Sequence, residues 1–328
     1  MESGAPRERF TMSLRRFRQI AIVTVAGVCF LTIAGAVVRL TGSGLGCSDW
    51  PACNDERFID VSTGHAAIEQ LNRLLSGVIG IPTLLMAIGA FRVRPRRPGI
   101  RWPSVGVLVT ILANGVVGGF AVMGDLHPTL VQSHFLLAML SIGLGMIAIH
   151  RARPEPVQHR STIGVTPVVT RLVGAVVGAM ALALVTGTVV TGSGPHAGDE
   201  TARRYGFDIS TVAQIHSVTV WVTVAFFLAL VISMRNVGLY HRFRADVSTW
   251  MFLAVVQGGV GYVQYFNDIP AVLVAGHVAL ATALWVSTVH LALAVLAPTP
   301  TPVVTGSDVH ATETRLASTF SSRAAPTA

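Results

Sequence analysis

A chain of 328 residues that is 52% hydrophobic and only 12% charged is too apolar for a water-soluble domain, and several of its apolar runs reach the roughly 20 residues a helix needs to cross about 30 Å of hydrocarbon. The formal charge of +8 is carried by arginine alone, because the sequence has no lysine. Those arginines fall between the apolar runs, which points to membrane topology and against a nucleic-acid partner.

The first segment, residues 1–19, is polar and holds Arg7, Arg9, Arg15, Arg16 and Arg18. A basic stretch before an apolar run is also the pattern of a signal peptide. The run 20–40 is too long for a signal core and lacks a small-x-small cleavage site, so it is read as a retained first span. The stretch 41–64 carries Cys47 and Cys53 with Asp49, Asp55, Glu56 and Asp60 against one arginine, and is expected outside. The second span is 65–91, and Arg92, Arg94, Arg96, Arg97 and Arg101 after it mark the cytoplasmic side. Spans three (103–123) and four (129–150) are joined by a short loop without arginine. The following loop, with Arg151, Arg153, Arg160 and Arg171, is again inside. Span five is 172–190, and the outer loop after it mixes Arg203 and Arg204 with Asp199, Glu200 and Asp208. Spans six (211–234), seven (247–266) and eight (270–296) complete the set, with Arg235, Arg242 and Arg244 inside. The tail, 297–328, is rich in Pro, Thr and Ser and is expected to be disordered. This topology puts 19 arginines inside and 3 outside, with Arg39 and Arg73 at span ends. Both termini are then cytoplasmic, in a multi-pass protein of the cell membrane surrounded by lipid.

The chain repeats itself. The stretch NGVVGGFAVMGDLHPTLVQSH from Asn114 is answered 143 residues later by QGGVGYVQYFNDIPAVLVAGH from Gln257, matching Gly118 to Gly261, Asp125 to Asp268 and His134 to His277. A second echo pairs Thr41-Gly42-Ser43-Gly44 with Thr191-Gly192-Ser193-Gly194 at an offset of 150. Two homologous halves follow, and four spans per half give both the same orientation. The expected fold is an all-α integral membrane protein of eight transmembrane helices, arranged as two four-helix bundles related by a pseudo-twofold axis along the membrane normal. Their bounds are 20–150 and 172–296, joined by a linker at 151–171.

Polar groups within hydrocarbon are costly and each needs a reason. His134, His216 and His277 lie six or seven residues into spans four, six and eight, about 10 Å below the outer surface at 1.5 Å per residue. Glu69 and Asn72 reach the same level on span two. Two imidazoles facing across a bundle suit axial ligation of a heme iron, and the second half has both, His216 and His277. Hydrogen bonding between helices also accounts for a lone membrane histidine. Zinc is less suited, since no carboxylate or thiolate accompanies the pair. His150 and His290 lie near inner helix ends, and His65, His127 and His196 in or beside outer loops. The first half offers Asn72 where the second has His216, and adds Glu69. A carboxylate there is either protonated by desolvation or held by Arg73 or Arg39, as a structural ion pair or as a group beside a reacting atom. Glycines 115, 118 and 119, with 258, 259 and 261, let helices or a flat macrocycle approach closely. Cys47 and Cys53, as C-x5-C in an oxidising setting, suit a disulfide, a dithiol redox pair or, less well, metal ligation. Cys29, within span one, reads as a packing residue.

Through GAVVRLTGSGLGCSDWPAC from Gly35, IEQLNRLLSG from Ile68 and the histidines of spans four, six and eight, the sequence resembles the bacterial and mitochondrial heme A synthases over all eight spans. The resemblance implies oxidation of a heme O methyl group to the formyl group of heme A, with heme b as cofactor. It implies that His216 and His277 hold heme b and that a substrate-heme site in the first half uses His134, with Glu69 as the catalytic carboxylate. Arg39 and Arg73 are candidates to pair with heme propionates or with Glu69. The implied partners are heme O, the farnesyltransferase that makes it, and a second copy of the chain. The family element is usually E-x-x-H-R, whereas Glu69-Gln70-Leu71-Asn72-Arg73 keeps the glutamate and arginine and lacks the histidine. Asn72 is then a weak or water-bridging ligand, or His134 holds the substrate heme from one side. Two rivals remain. A b-type electron carrier leaves Glu69 and the cysteines without a task. A transporter fits a duplicated bundle but not the lack of helix-breaking prolines at the polar level.

Overall fold

The computed structural model describes residues 11–153 and 164–297. Its eight long helices are α1 (Leu14–Leu40), α2 (Gly64–Arg92), α3 (Arg101–Met123), α4 (Pro128–Arg151), α5 (Pro167–Ser193), α6 (Ile209–Asn236), α7 (Arg244–Phe266) and α8 (Ala271–Val295). Seven, all but α7, are long and apolar enough to cross a bilayer. Arg244, Asp246, Gln257 and Gln264 dilute the apolar content of α7 across its 23 residues. The expected tail and the middle of the linker lie outside the described residues.

Each expected span falls on one helix, and most of the helices run further into the polar flanks, with side-chain caps at the starts of α1, α2, α4, α5 and α6. The polar first segment therefore does not extend to residue 19: Ser13 accepts from the Arg16 amide at 3.3 Å and opens α1 at Leu14. Phe17, inside this extension, is fully buried. Thr63 and Thr166 cap α2 and α5 in the same way, at 3.1 and 3.3 Å. Just before α1, Met12–Ser13 (β1) pairs in parallel with Val93–Arg94 (β2), which follows α2. No alternation in the sequence announces so short a bridge.

Consecutive helices pack as hairpins, α1 on α2, α3 on α4, α5 on α6 and α7 on α8. Further contacts join α2 to α3, α1 to α4 and α5 to α8, while α1, α4, α5 and α8 meet in the middle of the molecule. The largest core lies on this central seam and includes Val28, Met139, Ile142, Val173, Leu284 and Leu291. Lipid is as apolar as leucine, so close packing and hydrogen bonds between helices hold such a seam. Trp285 Nε1 of α8 donates to the Met139 carbonyl of α4 at 2.9 Å. Trp250 of α7 stacks on Phe227 of α6 with centroids 3.7 Å apart, and its Nε1 donates to Thr288 Oγ1 at 2.8 Å.

The repeat is visible in the backbone. Asp125 and Leu126 between α3 and α4 have φ of 52° and 53°, and Asp268 and Ile269 between α7 and α8 have 59° and 56°. The Leu126 amide donates to Ala121, and the Ile269 amide to Gln264, both at 2.8 Å. Two successive left-handed residues without glycine are uncommon, and here they recur at positions 143 apart.

Candidate functional site

Glu69 is 5% exposed on the second turn of α2. Its Oε1 accepts from Arg73 Nη2 at 2.6 Å and Nε at 3.1 Å, and its Oε2 accepts from the Cys47 amide at 2.8 Å. Of the two arginines expected beside it, Arg73 is the partner, because i to i+4 spacing stacks the two side chains on one helix face. Arg73 Nη1 donates to the carbonyls of Asp49 and Ala52 at 2.9 and 3.0 Å. One ion pair thus clasps both ends of the loop closed by the Cys47–Cys53 disulfide, and both cysteines are buried. The Cys47 sulfur lies 3.8 Å from Gln70 Oε1, a contact only, since a disulfide sulfur carries no proton. A guanidinium has five N–H groups, and Arg73 commits four of them here. Trp50 from the same loop lies on Gly119 of α3, where an added Cβ would sit 2.6 Å from the indole. Below the loop, Asp60 is held under the usual carboxylate range by hydrogen bonds from the Ser62 amide and hydroxyl.

Arg39 takes another direction. Its Nη1 donates to the Thr191 carbonyl at 3.4 Å, across to the end of α5, and Arg204 lies near enough to repel it. Arg204 in turn donates to the Gly194 carbonyl. The loop 194–208 leans back on the first half, where Tyr205 donates to Gln132 Oε1 at 2.6 Å and the Gly44 amide donates to the Gly198 carbonyl at 2.9 Å.

His216 of α6 and His277 of α8 face each other, ring centroids 6.4 Å apart and planes 75° apart. Transition metals bind imidazole nitrogen at about 2 Å, so two imidazoles with one metal atom between them have centroids about 6 Å apart. The observed spacing fits a single iron. The hydrogen bonds of His216 suit it too. Thr186 Oγ1 donates its proton to a main-chain carbonyl of its own helix, at 3.1 Å, and so accepts from His216 Nδ1, also at 3.1 Å, leaving Nε2 with its lone pair. On His277, the Gln257 side-chain amide lies 3.1 Å from Nε2. Each ring rests where glycine leaves room: a Cβ at Gly187 or Gly261 would stand 3.0 or 3.1 Å from Cε1 of His216 or His277.

His134 is the seventh residue of α4, as His277 is of α8. Its ring lies on Gly118, the repeat partner of Gly261, at 3.0 Å by the same measure. The Asn114 main chain lies beside it, as that of Gln257 lies beside His277. Across the first half, α2 supplies Asn72, whose Oδ1 is buried and without a hydrogen-bond partner among the described residues, as is Asn114 Oδ1. Four of the remaining histidines have local work. His65 Nδ1 bonds Ser43 Oγ at 2.9 Å, His127 caps α4, His196 bonds the Ile269 carbonyl at 2.9 Å, and His290 lies 3.5 Å from Asp246. Sequence reasoning missed Thr186 and Gly187. Their signal was their place five and four residues before the repeated T-G-S-G of the second half, where a small pair interrupts an apolar span.

The profile of a family described as cytochrome oxidase assembly protein, COX15-CtaA, matches residues 18–62 and 58–289. Among individual proteins, the chain is similar to the heme A synthase of Geobacillus kaustophilus (strain HTA426), with 32% identity over 128 residues, 39% of this chain and 40% of that protein. It is 29% identical to the heme A synthase of Shouchella clausii (strain KSM-K16) over 143 residues, 42% of this chain and 48% of that one. The heme A synthase of Alkalihalophilus pseudofirmus matches at 27% over 129 residues, 39% of this chain and 43% of that one. The chain thus spans less than half the length of these curated relatives.

Proposed function

The chain belongs to the COX15-CtaA family of cytochrome oxidase assembly proteins, and from that premise we propose that it is a heme A synthase, oxidising a methyl group of heme O to the formyl group of heme A. The observation that carries this reading is the pair of imidazoles with ring centroids 6.4 Å apart, His216 with its Nδ1 on Thr186 and His277 with its Nε2 beside the Gln257 amide. The two halves are taken as four-helix bundles related by a pseudo-twofold along the membrane normal, with the disulfide end outside and both termini in the cytoplasm. The repeated turns and the arginine distribution support that arrangement.

In the second half, His216 and His277 hold a heme b, which when bound supplies one-electron oxidation of the substrate. Ser217 and Trp221 of α6 reach the Tyr262 hydroxyl of α7 at 3.1 and 3.2 Å, tying these two helices together at their exposed side. In the first half, His134 positions heme O, delivered by the farnesyltransferase that makes it. Glu69 stands near the reacting methyl group. Arg73 fixes Oε1 and the Cys47 amide reaches Oε2, with the Gly46 main chain also beside the carboxylate, so Oε2, the oxygen outside the ion pair, is the atom that accepts a proton from the hydroxylated carbon or stabilises positive charge there. The disulfide loop above it keeps water away. Arg39, with a single long contact to a carbonyl, is the better placed arginine for a heme propionate, because Arg73 is nearly saturated.

The test is chromatography of hemes extracted from membranes of a host that makes heme O, with and without the chain. Heme A or its hydroxylated precursor is expected only with the chain. Accumulation of heme b with heme O unchanged would favour the electron carrier instead.

A further inference from the structure

The two halves differ at one pair of positions in a way that changes what each can hold. Asn72 is the ninth residue of α2, and His216 is the eighth of α6, so they occupy matching levels of matching helices. In the second half the ring of His216 needs the recess at Gly187. The residue four before the first T-G-S-G, as Gly187 is four before the second, is Val37. The first half has thus lost the imidazole together with the glycine that would make room for it.

What remains is not inert. Asn72 Oδ1 and Asn114 Oδ1 are buried without partners among the described residues. A buried amide oxygen without a partner is costly and calls for a ligand or water. Asn114 is the repeat counterpart of Gln257, whose amide reaches His277 Nε2 at 3.1 Å. Being one methylene shorter, Asn114 makes no side-chain bond to His134, and it leaves a polar group beside that ring.

Resting on the reading of the first half as the substrate-heme site, we propose that this half ligates its heme iron from one side only, through His134, and that Asn72 lines an open site on the other side. The ligand class for that open site is a water, whose O–H can donate to the unpartnered Asn72 Oδ1, or a small diatomic that displaces it. The second half, closed by two histidines, excludes such ligands. The same chain then carries one exchangeable and one closed heme.

Carbon monoxide is the probe. The full chain is isolated in detergent from a host that makes heme O, its hemes are identified and counted, and the reduced protein is titrated with carbon monoxide. One carbon monoxide per chain is expected, bound to the heme that His134→Ala removes, while the heme that His277→Ala removes stays unreactive. Asn72→His combined with Val37→Gly, which restores the recess, should abolish the binding and convert that heme to a six-coordinate low-spin spectrum. Asn72→Ala should keep the binding and shift the C–O stretching frequency, by removing the carboxamide dipole beside the bound ligand. Two hemes with no carbon monoxide bound would overturn the one-sided site. Binding with a stretch unchanged in Asn72→Ala would overturn the role of the amide. A chain that carries no first-half heme would overturn the functional reading itself, which is a different result from either.

Discussion

Glu69 does two things that pull in opposite directions. It is an anchor, since its carboxylate holds Arg73 and the Cys47 amide, and on our reading it is also the group nearest the reacting carbon. Glu69→Gln separates these roles, because glutamine still accepts from the Cys47 amide but offers no basic oxygen. Product formation is expected to fall by roughly 100-fold or more, with the second-half heme spectrum unchanged; turnover near the normal rate would remove Glu69 from the chemistry. Arg73→Met, by contrast, leaves a buried carboxylate unpaired and frees the Asp49 and Ala52 carbonyls. Breaking one partner of a buried pair costs about 3–5 kcal/mol, and a thermal unfolding midpoint in detergent equal to that of the unchanged protein would contradict the clasp. The sequence offered both Arg39 and Arg73 as partners for Glu69. Only helical spacing favoured Arg73, and nothing in the sequence showed Arg39 turning toward Thr191 across the halves. The histidines were legible for a different reason: a position repeated 143 residues apart marks a side chain that two copies of one hairpin both retain.

At the level of single helices, caps and glycine recesses position the site. Asp208 opens α6, eight residues before His216, and accepts from the Thr211 amide at 2.8 Å. Hydrogen bonds from Ser210 and Thr211 lower its carboxyl from the usual 3.8 to about 2. The sign follows from linkage: a depressed carboxyl stabilises the folded chain fully above its ordinary value and loses that contribution as pH falls through about 2. Amide exchange at the start of α6 should therefore stay slow at pH 4 and quicken only near pH 2. Asp208→Ala should exchange quickly at every pH; slow exchange in that variant would mean that the cap does not set the helix start. Gly261→Val tests the recess under His277, where a Cβ alone would already stand 3.1 Å from the ring. That variant is expected to lose the low-spin heme signal of the second half and keep ligation at His134, and an intact low-spin spectrum would contradict it. Helix positions were legible in the sequence to within a few residues, because apolar runs of spanning length have few other uses. The exceptions are physical. Residues 14–19 are polar on average yet bury Phe17, and β1 pairs with β2 over too short a run to leave a pattern.

Across the whole molecule, duplication explains both the likeness and the difference of the halves. The matching left-handed turns and the glycines under His134 and His277 are the inherited part. The Glu69–Arg73 clasp, the disulfide and Asn72 belong to the first half alone, and the paired imidazoles to the second. How the halves meet was not legible, since contacts such as Trp285 to the Met139 carbonyl and Tyr205 to Gln132 join residues that no repeat or motif relates. The central claim is that the second half keeps a resident heme between His216 and His277 while the first handles the substrate. The most direct measurement is the heme content and low-spin absorption spectrum of the full chain isolated from a host that makes heme b but no heme O. One low-spin heme per chain is predicted, absent from His216→Ala and from His277→Ala and retained in His134→Ala. A resident heme that survived loss of His277 and vanished with His134 would contradict the assignment of the halves.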